Sequence, residues 1–167
     1  MGLIRHASDP SAVVERTYAR IQRECMDGLP ILHAALAVQA VDFEEWAGHW
    51  LGIVVTPWCM SVLLVPGATG EWVMPRVQQR RIVPFPFGSL AFLGSEATEL
   101  GEYQTCSLFS PMERFSNQAE AVEAASATLR ALRAPATQTK AAGPPADAAD
   151  GARRRFLGLG ASRPPLI

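Results

Sequence analysis

Gly-His-Trp-Leu-Gly-Ile-Val-Val-Thr-Pro-Trp-Cys-Met-Ser-Val-Leu-Leu-Val-Pro, residues 48–66, is the stretch from which the fold is read. Trp50 to Val55 and Met60 to Val65 are rich in β-branched and bulky apolar residues and predict two buried strands. Thr56-Pro57 between them removes a backbone donor and drives the preceding residue toward an extended conformation, so a bend or bulge belongs there. The run is too short for a membrane span and is broken by Gly52, Pro57 and Ser61, which assigns it to the core of a small soluble domain. A bend is also where side chains leave a core, and residues 57–60 place the large anchors Trp58 and Met60 there.

N-terminal to this stretch, the spacing predicts a helix from about Pro10 to Asp27. Asp9 serves as N-cap with Pro10 at the first helical position, and Val14, Tyr18, Ile21 and Cys25 fall on one face. Cys25 is expected to be buried there as a small hydrophobe. Gly28 and Pro30 end the helix. Leu36 to Phe43 reads as a strand whose two halves differ in phase, and a bulge near Gln39-Ala40 reconciles them. Glu44, Glu45, Ala47 and Gly48 then read as a polar turn. His6 and His33 fall in what read as a flexible start and a loop.

C-terminal to it, Ile82-Val-Pro-Phe-Pro-Phe87 carries alternating prolines, which forbid a central strand and predict either an edge strand or a polyproline-like extension covering a sheet edge. Leu90 to Leu93 is a short strand, and Gly94 to Gly101 an acidic loop. Gly-Glu-Tyr-Gln-Thr-Cys-Ser-Leu-Phe-Ser-Pro-Met, residues 101–112, is a second distinctive stretch. It runs into a helix, for which Ser110-Pro111-Met112-Glu113 has the form of a capping box, with Phe115, Ala119, Val122, Leu129 and Leu132 at helical spacing. The expected architecture is α+β: a small, mostly antiparallel sheet of four or five strands bracketed by an N-terminal and a C-terminal helix. Residues 1–133 form this single domain, and residues 134–167, rich in Ala, Pro and Gly, read as a flexible tail.

Composition narrows the function. An apolar content of 49% is enough for a core without disulfide or metal staples. Residues 1–133 hold 10 Lys+Arg against 14 Asp+Glu, net −4, while residues 134–167 hold 5 against 2, net +3. The acidic domain argues against nucleic-acid binding. Cys25, Cys59 and Cys106 are scattered and odd in number, which reads as thiols in a reducing compartment. No apolar signal segment is visible at the start, so the expectation is a cytoplasmic protein.

No catalytic constellation is legible: there is no nucleophile beside a base, no carboxylate pair and no phosphate loop. His49, Cys59 and Cys106 make a conceivable metal set, but metal sites legible in sequence place ligands in close pairs. Neither Cys59 nor Cys106 has a Lys or Arg within five residues to stabilise a thiolate. No cofactor is expected. What remains distinctive is a set of large soft side chains, some of them core and some available to anchor a partner.

Residues 48–60 and 101–112 together resemble the two signature stretches of the HybE family of [NiFe]-hydrogenase assembly chaperones. Met26-Asp-Gly-Leu-Pro30 and the strand after it resemble that family as well, and the likeness runs from about Val14 to Arg133. Ser61 stands where the family's pattern has asparagine. Some relatives carry a rubredoxin segment, which the absence of any C-x-x-C rules out here. The resemblance implies a non-enzymatic, cytoplasmic accessory protein. Its partner would be a precursor subunit of an uptake hydrogenase, either the small subunit with its twin-arginine signal or the large subunit. Binding would precede assembly and export, with other maturation proteins as further partners and no stable membrane insertion. The two stretches then supply the partner-binding residues: Trp50, Pro57, Trp58, Cys59, Met60, Tyr103, Cys106, Phe109, Pro111 and Met112. The alternative is a thiol-based redox or metal-delivery protein using Cys59 and Cys106. Because residues 134–167 lack a core-forming pattern, a chain ending at Arg133 is expected to melt within a few degrees of the full chain, a change of about 0.5 kcal/mol or less by thermal unfolding.

Overall fold

The computed structural model describes residues 2–76 and 78–135. The tail assigned to residues 134–167 therefore lies almost wholly outside the described residues. In chain order the elements are α1 (Ser11–Ile21), a π-helical turn (Gln22–Met26), β1 (Gln39–Trp46), β2 (His49–Val55), β3 (Met60–Val65), β4 (Arg80–Phe85), β5 (Gly88–Ala97), β6 (Gly101–Phe109) and α2 (Gln118–Arg133). The six strands form one antiparallel sheet in the order β1-β2-β3-β6-β5-β4. The α+β class with a helix at each end is as expected. The sheet has six strands rather than four or five because Gly101–Phe109, a stretch given no strand assignment, is a full strand between β3 and β5, and Arg80–Phe85 pairs along its length with a β5 that continues through Gly94 to Ala97, read as loop.

The helices lie on opposite faces. Val41, Leu51, Ile53, Val55, Val62, Leu64, Phe92 and Cys106 pack with Ala121, Ala125, Leu129 and Leu132 of α2. Phe43, Val54, Leu63, Val65, Leu100 and Tyr103 pack with Val14 and Tyr18 of α1. Every residue of β3 is buried, as is all of β2 except Trp50, which is why these strands read as mostly apolar rather than alternating. Trp46 and Phe85 belong to the two outermost strands, yet their ring centroids are 5.3 Å apart. The sheet therefore coils around the α2 side until a corner of one edge meets the other.

Local choices place these residues. In β1 the register slips between Val41 and Glu44, with Asp42 at φ 47°. The bulge lies there, two to three residues later than the phase argument put it, and it sends Val41 to the α2 face and Phe43 to the α1 face. The Phe43 ring then lies over Gly52, where an added Cβ would come within 2.4 Å of it, so only glycine fits. Glu44 and Glu45 belong to β1, and Ala47-Gly48 alone make the turn, both with positive φ.

Both helix starts differ from expectation. At α1 the cap position is Pro10, although the Asp9 carboxylate still accepts the Ser11 N–H at 2.8 Å. The relaxation to a π-helical turn over Gln22–Met26 rotates the later residues off the buried face, and Cys25 is exposed rather than buried. At α2 the cap is Asn117, not Ser110: Asn117 Oδ1 accepts the Glu120 N–H at 2.9 Å, and Glu120 Oε2 accepts the Ser116 N–H at 2.8 Å. Two N-cap patterns competed, and the second prevails because Met112 and Phe115 enter the core from a turn below β6, where Phe115 N–H donates to the Met112 carbonyl. The start of the chain is not loose. His6 N–H donates to the Pro66 carbonyl at 2.9 Å, and Arg5 donates to the Gly67 and Gly70 carbonyls. Asn117→Ala is expected to cost about 0.5 to 2 kcal/mol in denaturant unfolding, and Ser110→Ala to leave the helical signal of α2 unchanged. The reverse ranking would restore the helix start to Ser110.

Candidate partner-binding site

The β2–β3 connection is held by Thr56, whose backbone N–H donates to the Cys59 carbonyl at 2.9 Å and whose hydroxyl makes further bonds within the bend. Thr56 Oγ1 accepts the N–H groups of Trp58 and Cys59, at 3.3 and 2.9 Å, and donates to the Cys59 carbonyl at 2.8 Å. Two other segments meet this bend. His33 N–H donates to the Pro57 carbonyl at 2.8 Å, and Ser110 Oγ donates to the Trp58 carbonyl at 3.4 Å. Met60 pairs with Phe109 just inside. The two signature stretches and the loop after α1 thus converge at one end of the sheet.

The ten candidate residues divide by burial. Met60, Met112, Tyr103, Cys106 and Phe109 are 0, 1, 4, 7 and 8% exposed, and Pro57 is also buried. An open surface made of Trp58, Met60, Phe109 and Met112 together does not exist, because the last three point into the α2-side core. Trp50 is partly exposed but lies at the other end of β2, where it pairs with Val65 and its indole donates to the His6 carbonyl at 2.9 Å. Trp58, Cys59 and Pro111 reach the surface at the convergent end. The Trp58 ring is stacked on Tyr18, centroids 6.4 Å apart, and this contact fixes its orientation from α1.

Sequence reading missed three neighbours. Leu29 and Ile31, 43 and 48% exposed, lie on the loop that His33 ties to Pro57. Leu29 stood in the Met26–Pro30 stretch already set beside the family, which was the available signal, whereas Ile31 carried none. The Arg114 guanidinium lies 4.7 Å from the Phe109 ring centroid and 5.7 Å from that of Phe115, adding a fixed cation beside Pro111.

Thiol chemistry finds little support in the geometry. Ser61 alternates with Met60 and Val62, so it faces α1, and its hydroxyl lies 3.8 Å from Cys59 Sγ. Cys106 belongs to the α2-side core. The sheet stands between the two sulfurs. Burial pushes the Cys59 thiol up, against smaller opposing effects of the Thr56 and Ser61 hydroxyls. His49 meets neither thiol: it is buried at the far end of β2, its ring 5.3 Å from that of Trp72. Among the described residues no group of three or more His, Cys, Asp or Glu is arranged to share a metal ion.

The sheet thus has one helix packed on each face, and at one end Trp58, Cys59 and Pro111 reach the surface on a frame shared with the Leu29–Ile31 loop. The family described as "[NiFe]-hydrogenase assembly, chaperone, HybE" matches residues 9–159. The Hydrogenase-2 operon protein HybE of Escherichia coli (strain K12) is 32% identical over 105 residues, 63% of this chain and 65% of that one. The chain thus spans just under two thirds of that relative. Protein HoxT of Cupriavidus necator is 36% identical over 155 residues, 86% of this chain and 85% of that one. The solution structure of HybE from Escherichia coli is similar with a TM-score of 0.65 at 28% identity, covering 86% of this chain and 91% of that one. The chain belongs to the HybE family of [NiFe]-hydrogenase assembly chaperones. Among the described residues no helix is long and apolar enough to cross a membrane.

His49 generates a pH test. Its Nδ1 accepts the Gly67 N–H at 3.2 Å, which leaves the proton on Nε2, 3.0 Å from the Glu71 carbonyl. Burial depresses its pKa below 6.5, the Glu71 carbonyl opposes this, and Arg5 and Arg81 add to it. The unfolded chain then binds the proton first, so the contribution of His49 is present above about pH 6.5 and is lost as pH falls below it. The melting temperature is expected to drop between pH 7 and pH 5.5, and to drop less in His49→Gln. Equal slopes in the two proteins would show that His49 is not the group responsible.

Proposed function

We propose that the chain binds a precursor subunit of an uptake [NiFe]-hydrogenase in the cytoplasm, without catalysis of its own, and releases it for assembly and twin-arginine export. The sheet end is the contact surface, with Trp58, Cys59 and Pro111 of the signature stretches joined by Leu29 and Ile31. Pro57, Met60, Tyr103, Cys106, Phe109 and Met112 act from beneath as the packing that holds this end in shape, and Trp50 secures the other end of β2. The observation that carries the reading is that exposed Leu29, Ile31 and Pro111 and half-buried Trp58 and Cys59, from three distant segments, share one hydrogen-bonded frame. Such preorganised apolar anchors are what bind a protein partner.

The test measures stability and capture of the precursor on the same variants. Trp58→Ala is expected to weaken binding by about 2 kcal/mol, roughly thirtyfold. Because Trp58 also stacks on Tyr18, Ile31→Ser serves as the clean variant. At an exposed position it is expected to change stability by about 0.5 kcal/mol or less and still weaken capture. Normal capture by both variants would remove this end of the sheet from the mechanism.

A further inference from the structure

The two outer strands expose their backbone edges very differently. Along β1 both helices cover the edge. Glu15 of α1 accepts the Ala40 N–H at 2.9 Å, and Arg133 of α2 donates to the Asp42 carbonyl at 3.0 Å. Just before the strand, Gln118 accepts from the Ala37 N–H and donates to the Ala37 carbonyl. Along β4, among the described residues, no side chain plays this part.

The geometry of β4 shows which groups are open. Phe85 and Gly88 flank the two-residue turn Pro86-Phe87, so Phe85, Val83 and Arg81 face their bonding partners in β5. The backbone of Arg80, Ile82 and Pro84 therefore points outward. The missing N–H of Pro84 costs no ladder bond, which explains a proline inside this strand. Two outward donors remain, the N–H groups of Arg80 and Ile82, with the carbonyls of all three as acceptors. Their side chains emerge on the α1 face, but α1 packs over Phe43, Val54, Leu63 and Val65 and leaves this half of the face uncovered. Ile82 is 62% exposed, and Leu93, paired with Arg80, is 40% exposed. Arg80 and Arg76 are exposed and form no ion pair among the described residues.

We propose that β4 accepts an extended segment of a partner protein as a seventh strand, apolar where it runs beside Ile82 and acidic where it runs beside Arg80. Open main-chain groups supply the affinity of such a site and the side-chain neighbours its specificity. Other occupants fit less well. Pairing β4 with a second β4 sets Arg80 against Pro84, which donates nothing, and brings no counter-charge. The acidic stretch of residues 134–167, which holds Asp147 and Asp150, follows two prolines and offers nothing larger than alanine to run beside Ile82. This inference stands independently of the role given to the Trp58 end of the sheet.

The probe is a short synthetic peptide alternating valine with threonine and ending in two aspartates, added to the isotope-labelled full chain and followed by amide NMR and hydrogen exchange. Expected are shifts along β4 and slowed exchange at the Arg80 and Ile82 amides. Arg80→Glu is expected to weaken this peptide roughly tenfold and to strengthen a matched peptide ending in two lysines. No binding at about 1 mM peptide, or shifts confined to the Trp58 end, would overturn the proposal. So would Arg80 and Ile82 amides already protected in the dilute chain alone, which would make its own tail the occupant. Protection that appears only as protein concentration rises would assign the edge to a second copy instead.

Discussion

β2 and β3 bury side chains on both faces, so neither can stand at a sheet edge or against water, and the rest of the chain is arranged to satisfy that requirement. β1 pairs outside β2, and β6 is inserted beside β3 only after the chain has crossed to the far edge and returned through β4 and β5. One helix is needed for each face. At about 1.5 to 3 kcal/mol for each fully buried aliphatic side chain, Leu51, Ile53, Val55, Val62, Leu63 and Val65 together outweigh any single capping or turn contribution. This is why the sequence can bear a proline in one edge strand and a bulge in the other.

The parts legible in the sequence were those governed by such burial. Residues 50–55 and 60–65 had to be strands, the chain had to bend at Thr56-Pro57, and Pro84 had to stand at an edge, whereas Pro86 went to the turn that follows. The parts that were not legible turn on competition between near-equal local signals. Ser110-Pro111-Met112-Glu113 and Asn117-Gln118-Ala119-Glu120 both fit an N-cap, and the tertiary burial of Met112 and Phe115 decides between them. Val41 and Phe43 are two residues apart, which in a regular strand means one face. Only the left-handed Asp42 separates them, and nothing in its side chain announces that conformation. Cys25 followed a correct helical phase that the π-helical turn then cancelled.

The candidate site shows the same division. The two signature stretches do meet, through Met60 opposite Phe109 and the Ser110 hydroxyl on the Trp58 carbonyl, so their joint prominence has a spatial cause. Within them, however, strand alternation sends Met60 and Phe109 inward. An apolar residue in a signature stretch is as easily the floor of a surface as part of it. Leu29 and Ile31 complete the surface from a loop whose sequence shows no periodicity, and their position depends on a backbone bond from His33 to Pro57. Contacts of that kind involve no particular side chain and leave no mark in the residue types.

The two surfaces differ in what sustains them. The Trp58 end is assembled from segments some eighty residues apart in sequence, joined by single hydrogen bonds and by packing against both helices. Loss of core packing anywhere beneath it is transmitted to it, because close-packed interiors pass on strain rather than absorb it. The β4 edge belongs to one hairpin whose register is set by a two-residue turn, and it asks of the core only that Val83 and Phe85 stay docked. A substitution beneath Trp58 therefore bears first on the composite surface, and reaches the β4 edge only through the shared core that holds Val83 and Phe85. Graded destabilisation should accordingly silence the composite surface first and the local one last.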